Sequence, residues 1–246
     1  MKLILTTLLI VFQLSYAQAK PAPAVAGFSS MLLPGLGQTL NGNALEGLAY
    51  AGVSAMYFLK NPYFSNIGFN IWLYNQYDAY RDAGAPGTAK HSIYENWISN
   101  VNPLNLVDLI AAPTVGFAAG YGYYTGGGYP SFQRWEIPVS YSFVGLGEEA
   151  LFRGFWFHGL SRLFGTEWVG APISSLAFAA AHVIGGVENL ELNPMAQRFI
   201  FGMLMSWQMS RNQYDMRKNI FTHSWYNIFI DRGNSINFRW VIPLIP

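Results

Sequence analysis

The chain has 246 residues, a formal net charge of +1 and no cysteine. The near-neutral charge leaves no basic footprint for nucleic acid, and the lack of cysteine excludes disulfides, thiolate catalysis and cysteine-held zinc. Charged residues are only 11% against 52% hydrophobic and 17% aromatic. Soluble domains carry about 25% charged residues, so this is the composition of a chain buried mainly in lipid.

Residues 1–19 combine Lys2, an apolar stretch from Leu3 to Phe12, and Ala17-Gln18-Ala19. This is the pattern of a secretory signal peptide cleaved after Ala19, with an uncleaved signal anchor as the alternative, and its apolar stretch is too short to span a bilayer. Residues 20–103 are expected to hold N-terminal membrane helices and a loop. Gly27 to Asn43 is interrupted by Pro34-Gly35. It reads as a short broken helix or a re-entrant segment, which lipid tolerates only under protein cover; a packing kink is the plainer reading. Ala44 to Leu59 reads as a membrane helix, with Gly47, Ala51, Gly52 and Ser54 suited to close helix contact. Ile67 to Tyr80 is more polar, with Asn70, Asn75 and Gln76, and reads as a short span or an interfacial helix. Arg81 to Asn102 reads as a polar loop holding at most a surface helix, with His91 solvated.

Residues 104–246 are expected to form the core. Leu104 to Tyr124 is apolar, with Asp108 as a helix-end charge. Gly126-Gly127-Gly128 and Pro130 then break the chain. Four helices should follow, over Glu136–Phe164, Trp168–Ile184, Pro194–Arg211 and Asn219–Asp231. Three basic residues in 211–218, against Glu188 and Glu191 before, place the 211–218 loop in the cytoplasm and the 185–193 loop outside. That threading sets His182 near the outer end of one helix and His223 near the inner end of another.

Three polar clusters in these apolar helices carry the chemistry. Ionisable groups in such surroundings are costly, so they tend to be paired or functional. Glu149 and Arg153 are four apart and can pair on one helix face. Glu148 lies about 140° of arc from Arg153 and is left as the free carboxylate. Phe178 and His182 share a face, as do His223 and Asn227. With no serine–histidine pair and no cysteine, a carboxylate is the natural base for activating water. His158 reads as a packing residue, and Ser161, Ser174, Ser175 and Ser206 lack a nucleophile elbow.

The order EExxxR, FxxxH, HxxxN resembles the CPBP intramembrane proteases, the family of CAAX prenyl endopeptidases and of the bacterial Abi proteins grouped with bacteriocin self-immunity. The likeness spans about Glu136 to Asp231. Phe199-Ile200-Phe201-Gly202 is similar to a further FxxG element, with Ser206 where a smaller residue is common. The resemblance implies an all-α, multi-pass transmembrane bundle with a four-helix catalytic core. It implies that Glu148 and His182 act on water, that His223 and Asn227 bind the oxyanion, and that Glu149, Arg153 and Phe178 support them. The implied protein is a glutamate-dependent endopeptidase in a bacterial inner membrane, in contact with lipid and with a membrane-associated peptide or protein substrate. A prenylated substrate is not carried over.

Glu148, His182 and His223 are also ligand types of a zinc site. There is no HExxH helix, asparagine is a poor zinc ligand, and the resemblance implies metal-independent chemistry, so no metal or cofactor is expected. The competing reading is a non-catalytic membrane protein of the same fold, acting in immunity or as a scaffold. A transporter ranks behind both, since no repeated halves are visible.

Overall fold

The computed structural model describes residues 20–126, 136–184 and 192–231. Residues 1–19, read above as a signal peptide, most of the glycine-rich break, the 185–191 loop and the tail after Asp231 lie outside the described residues. Within them the regular structure is helical throughout. The N-terminal part comprises α1 (Pro23–Leu32), α2 (Leu36–Leu40), α3 (Ala44–Ser54), α4 (Pro62–Asp82) and α5 (Ile93–Ile98). The remainder comprises α6 (Ala111–Gly126), α7 (Glu136–Glu149), a π-helical run (Ala150–Phe157), α8 (His158–Phe164), α9 (Glu167–Ile184), α10 (Leu192–Arg211) and α11 (Arg217–Asp231).

The central column is α4, which packs on α1 and α3 on one side and on α7 and the π run on the other. Its start is fixed by Asn61, whose side chain accepts from the Tyr63 and Phe64 amides, with Pro62 in the first turn. This placement corrects the interfacial reading of Ile67–Tyr80. The helix can be polar because several of its polar groups are bonded inside the protein. Asn75 Oδ1 accepts from the Gly35 amide at 2.8 Å. Asp78 accepts from Tyr50 at 2.9 Å and from Gln38 at 3.3 Å, and it pairs with Arg81 at 2.5 Å. Buried polar groups survive folding when they are bonded in this way.

The break at Pro34-Gly35 is the packing kink. Gly35 has φ +84°, and a Cβ there would lie 1.9 Å from the Gly47 carbonyl oxygen. Glycine alone suits that backbone, and the close approach lets the α1–α2 turn reach Asn75. The following helix is shorter than expected: α3 ends at Ser54 and a 3-10 turn carries the chain to Phe58.

The loop after α4 holds the anticipated surface helix, α5, with a reciprocal cap between Ser92 and Glu95. His91 is partly exposed, 3.5 Å from Asp215 and away from the polar clusters of the core. The next apolar segment starts later than its sequence suggests, because Pro103–Val107 is 3-10. Asp108 then accepts from the Ile110 and Ala111 amides at 2.9 and 3.2 Å and caps α6. This is the helix-end role read from its position.

The stretch 136–164 is continuously helical, but its middle is π rather than α. Gly165, at φ +69°, ends it. α9 returns antiparallel to it, α10 packs on α9, and α11 lies between α7 and α6. The FxxG element explains one of these contacts: a Cβ on Gly202 would fall 2.8 Å from Ser175 Cβ, so the glycine sets the α9–α10 approach.

Among the described residues, no helix is long and apolar enough to cross a membrane. The 21-residue α4 illustrates why, since it carries Asn66, Asn70, Asn75, Gln76, Asp78, Arg81 and Asp82. The all-helical expectation holds; the expectation of separate apolar spans does not.

Candidate active site

The C-terminal end of α7 delivers Glu148 and Glu149 side by side into the bundle, at 6% and 0% exposure. Gly147 makes this possible. A Cβ there would be 2.5 Å from the Asn70 carbonyl oxygen, so α7 can lie directly on α4. The π run begins at the next residue. Such i→i+5 winding is rare and occurs frequently at functional sites.

Glu149 is held from three directions. Arg153 Nη1 lies 3.2 Å from its Oε1. His223 Nδ1 donates to the same oxygen at 2.7 Å, and Asn219 Nδ2 donates to Oε2 at 3.3 Å. The sequence reading paired Glu149 with Arg153 alone. The structure makes it also the carboxylate that orients an imidazole. Arg153, fully buried, lies with its guanidinium 4.5 Å from the centre of the Phe178 ring, a cation–π contact. Phe178 in turn packs edge-on against His182, ring centres 4.5 Å apart.

Glu148 differs. Its Oε2 is buried without a hydrogen-bond partner among the described residues. It faces His182 Nε2 at 3.8 Å and His223 Nε2 at 3.6 Å. The tautomers follow from the other ring nitrogens. His182 Nδ1 donates to the Phe178 carbonyl at 2.8 Å, so in the neutral ring Nε2 is an acceptor. His223 Nδ1 is committed to Glu149, so its Nε2 also faces Glu148.

The two histidines meet Glu148 despite the mismatch in the sequence threading, for two reasons. α9 runs antiparallel to the 136–164 stretch, so residues equally far from the turn at Gly165 come level, and Glu148 and His182 are such a pair. Side chains also lean toward the N-terminus of their helix, which draws His182 back to the level of Phe178. α11 is the shortest of the four. It turns back at 212–216, and Asn219 bonds the Met205 carbonyl at 2.6 Å, so it enters part-way along α10. Phe201 of α10 completes the level, 5.2 Å from the His223 ring.

Glu148, His182, His223 and Asn227 line one cavity of about 370 Å³, together with Tyr141, Phe178, Phe201, Arg198 and Tyr226. Asn227 follows His223 by one helical turn and is half-buried. Several residues of this site were missed from sequence, Asn219 and Phe201 among them. Asn219 precedes His223 by four, so the spacing that joined His223 to Asn227 also reached it. Phe201 lies within the FxxG element. His158 has no place in this cavity. It is buried with Nδ1 2.8 Å from the Tyr80 hydroxyl and its ring against Tyr214, as a packing residue.

Within the described residues this is an all-helical bundle in which a buried carboxylate faces two imidazoles, an arrangement that can act as a general base on water. Residues 130–229 match the family model described as "Type II CAAX prenyl endopeptidase Rce1-like", in line with the CPBP/CAAX protease likeness of the three motifs. That family is one of membrane-embedded CAAX-type proteases. No curated protein and no solved structure matches the chain.

Proposed function

We propose that this protein is a membrane-embedded, glutamate-dependent endopeptidase that hydrolyses a peptide bond of a membrane-associated substrate. The observation that carries this reading is the position of Glu148 Oε2, unpartnered among the described residues and 3.6–3.8 Å from two imidazole nitrogens. A water in the adjoining cavity can reach that oxygen and an imidazole nitrogen together. Glu148 takes a proton from that water as it attacks the scissile carbonyl. His182, whose Nε2 is an acceptor in the neutral ring, accepts the proton next and returns it to the leaving amine.

The oxyanion needs donors. Asn227 supplies an amide N–H, and His223 supplies Nε2–H when both its ring nitrogens are protonated. One such donor is worth about 3 kcal/mol in the transition state. Glu149, Arg153, Asn219 and Phe178 act by fixing the imidazoles. A metal is not part of this mechanism.

Membrane residence is supported by the family and by large exposed apolar side chains. Leu32, Leu45, Leu104, Val107, Leu163 and Trp168 are each more than 70% exposed. Apolar exposure on this scale marks an interaction or membrane surface.

The test is cleavage of a membrane-peptide library by the purified protein in detergent. Wild type cuts; Glu148→Ala and His182→Ala do not, and chelator leaves the wild-type rate unchanged. Equal cutting by all three proteins rejects the reading. A cellular function that persists in Glu148→Ala and depends on partner binding points instead to a scaffold.

A further inference from the structure

Of the cavity's polar groups that the mechanism above does not use, Gln197, Arg198 and Tyr226 are at least partly exposed and one is buried. Tyr141 is 2% exposed and lines the same cavity as Glu148 and Asn227. Its ring is fixed in an apolar cluster with Ile137, Val144 and Ile228. Its hydroxyl is buried and has no hydrogen-bond partner among the described residues. A buried hydroxyl left unbonded costs free energy. A phenylalanine would fill the same space without that cost, so the hydroxyl calls for a ligand.

Helix geometry says where that ligand group lies. Tyr141 and Glu148 are seven apart on α7, so they share a face within about 20° and are separated by about 10 Å along the axis. A chain in extended form covers about 3.3–3.6 Å per residue. Two or three substrate residues therefore separate the group bonded to Tyr141 from the bond attacked at Glu148. A phenol donates well to a neutral carbonyl, and an extended peptide offers a backbone carbonyl at every residue.

We infer that Tyr141 is a substrate-positioning residue, whose hydroxyl donates to a backbone carbonyl of an extended peptide two or three residues from the scissile bond. The inference rests on the endopeptidase reading for the position of that bond. It sets a minimum length for substrate on that side of the cut.

The experiment separates the two. The probe is a labelled eight-residue leucine–alanine peptide in detergent, with a series in which one peptide bond at a time is an alkene isostere. Binding is measured to Glu148→Gln and to Glu148→Gln/Tyr141→Phe, so no turnover is needed. A neutral hydrogen bond predicts about fivefold weaker binding of the all-amide peptide to the Tyr141→Phe protein. One isostere should bind both proteins alike, and its position should lie two or three residues from the bond that wild type cuts. The melting temperature should stay level or rise. Equal affinities for every peptide, the same loss for every isostere, or no binding at all overturns the inference. If the binding pattern holds while wild type cuts no peptide, the endopeptidase reading fails and the positioning contact stands. If wild type cuts and Tyr141→Phe leaves both KM and kcat unchanged, the reverse is true.

Discussion

Glu149→Gln separates the supporting role of Glu149 from the chemistry of Glu148. Glu149 is fully buried and faces Arg153 at 3.2 Å, with Arg153 itself at 0% exposure. Glutamine keeps the shape and can still accept from His223 Nδ1, but it leaves the guanidinium without a counter-charge. Removing one partner of a buried ion pair costs about 3–5 kcal/mol. For a chain of this size each kcal/mol moves the melting temperature by about 2–4 °C, so thermal unfolding in detergent should fall by about 6–20 °C. Arg153→Met in the same chain removes the orphaned charge, and replacing both members of such a pair is often neutral. Glu149→Gln/Arg153→Met should therefore recover most of the stability. It should not recover peptide cleavage, because His223 Nδ1 no longer donates to a carboxylate. Glu149→Gln within 1 °C of wild type, or a double variant with full activity, refutes this account.

Other expectations follow from the same geometry. Glu148→Gln should leave the melting temperature unchanged or higher, since the carboxylate has no hydrogen-bond partner among the described residues, while proteolysis is lost; circular dichroism melts and mass spectrometry of products check both. Asn227→Ala should lower kcat by about 10²-fold, as one lost oxyanion donor does, with KM little changed in steady-state kinetics. Gly147→Ala should lower stability by about 1–3 kcal/mol through overpacking, because its methyl meets the Asn70 backbone; a normal melt for this variant contradicts the α4–α7 contact.

The polar clusters were legible because each relies on spacing within one helix. Glu149 and Arg153, Phe178 and His182, and His223 and Asn227 are pairs of that kind, and the three motifs also carried the family likeness. What lies between helices was not legible. α4 looked interfacial because its sequence shows Asn75 and Asp78 but not the Gly35 amide and Tyr50 hydroxyl that bond them. The π run after Glu149 left no mark in the periodicity. The levels of His182 and His223 could not be threaded correctly, because the threading gave each helix an equal crossing, whereas α11 enters part-way along α10. Glu149 looked paired once and is held three times, since its partners His223 and Asn219 lie some seventy residues away.

The central claim is that the Glu148 carboxylate, and not merely the bundle around it, drives peptide hydrolysis. The most direct measurement is the single-turnover cleavage rate of one membrane peptide by wild type and by Glu148→Gln, reconstituted in the same lipid and shown to melt alike. A general base contributes about 10²–10⁴-fold. The account predicts a loss of at least that order, whereas a Glu148→Gln protein cutting within a few-fold of the wild-type rate contradicts it.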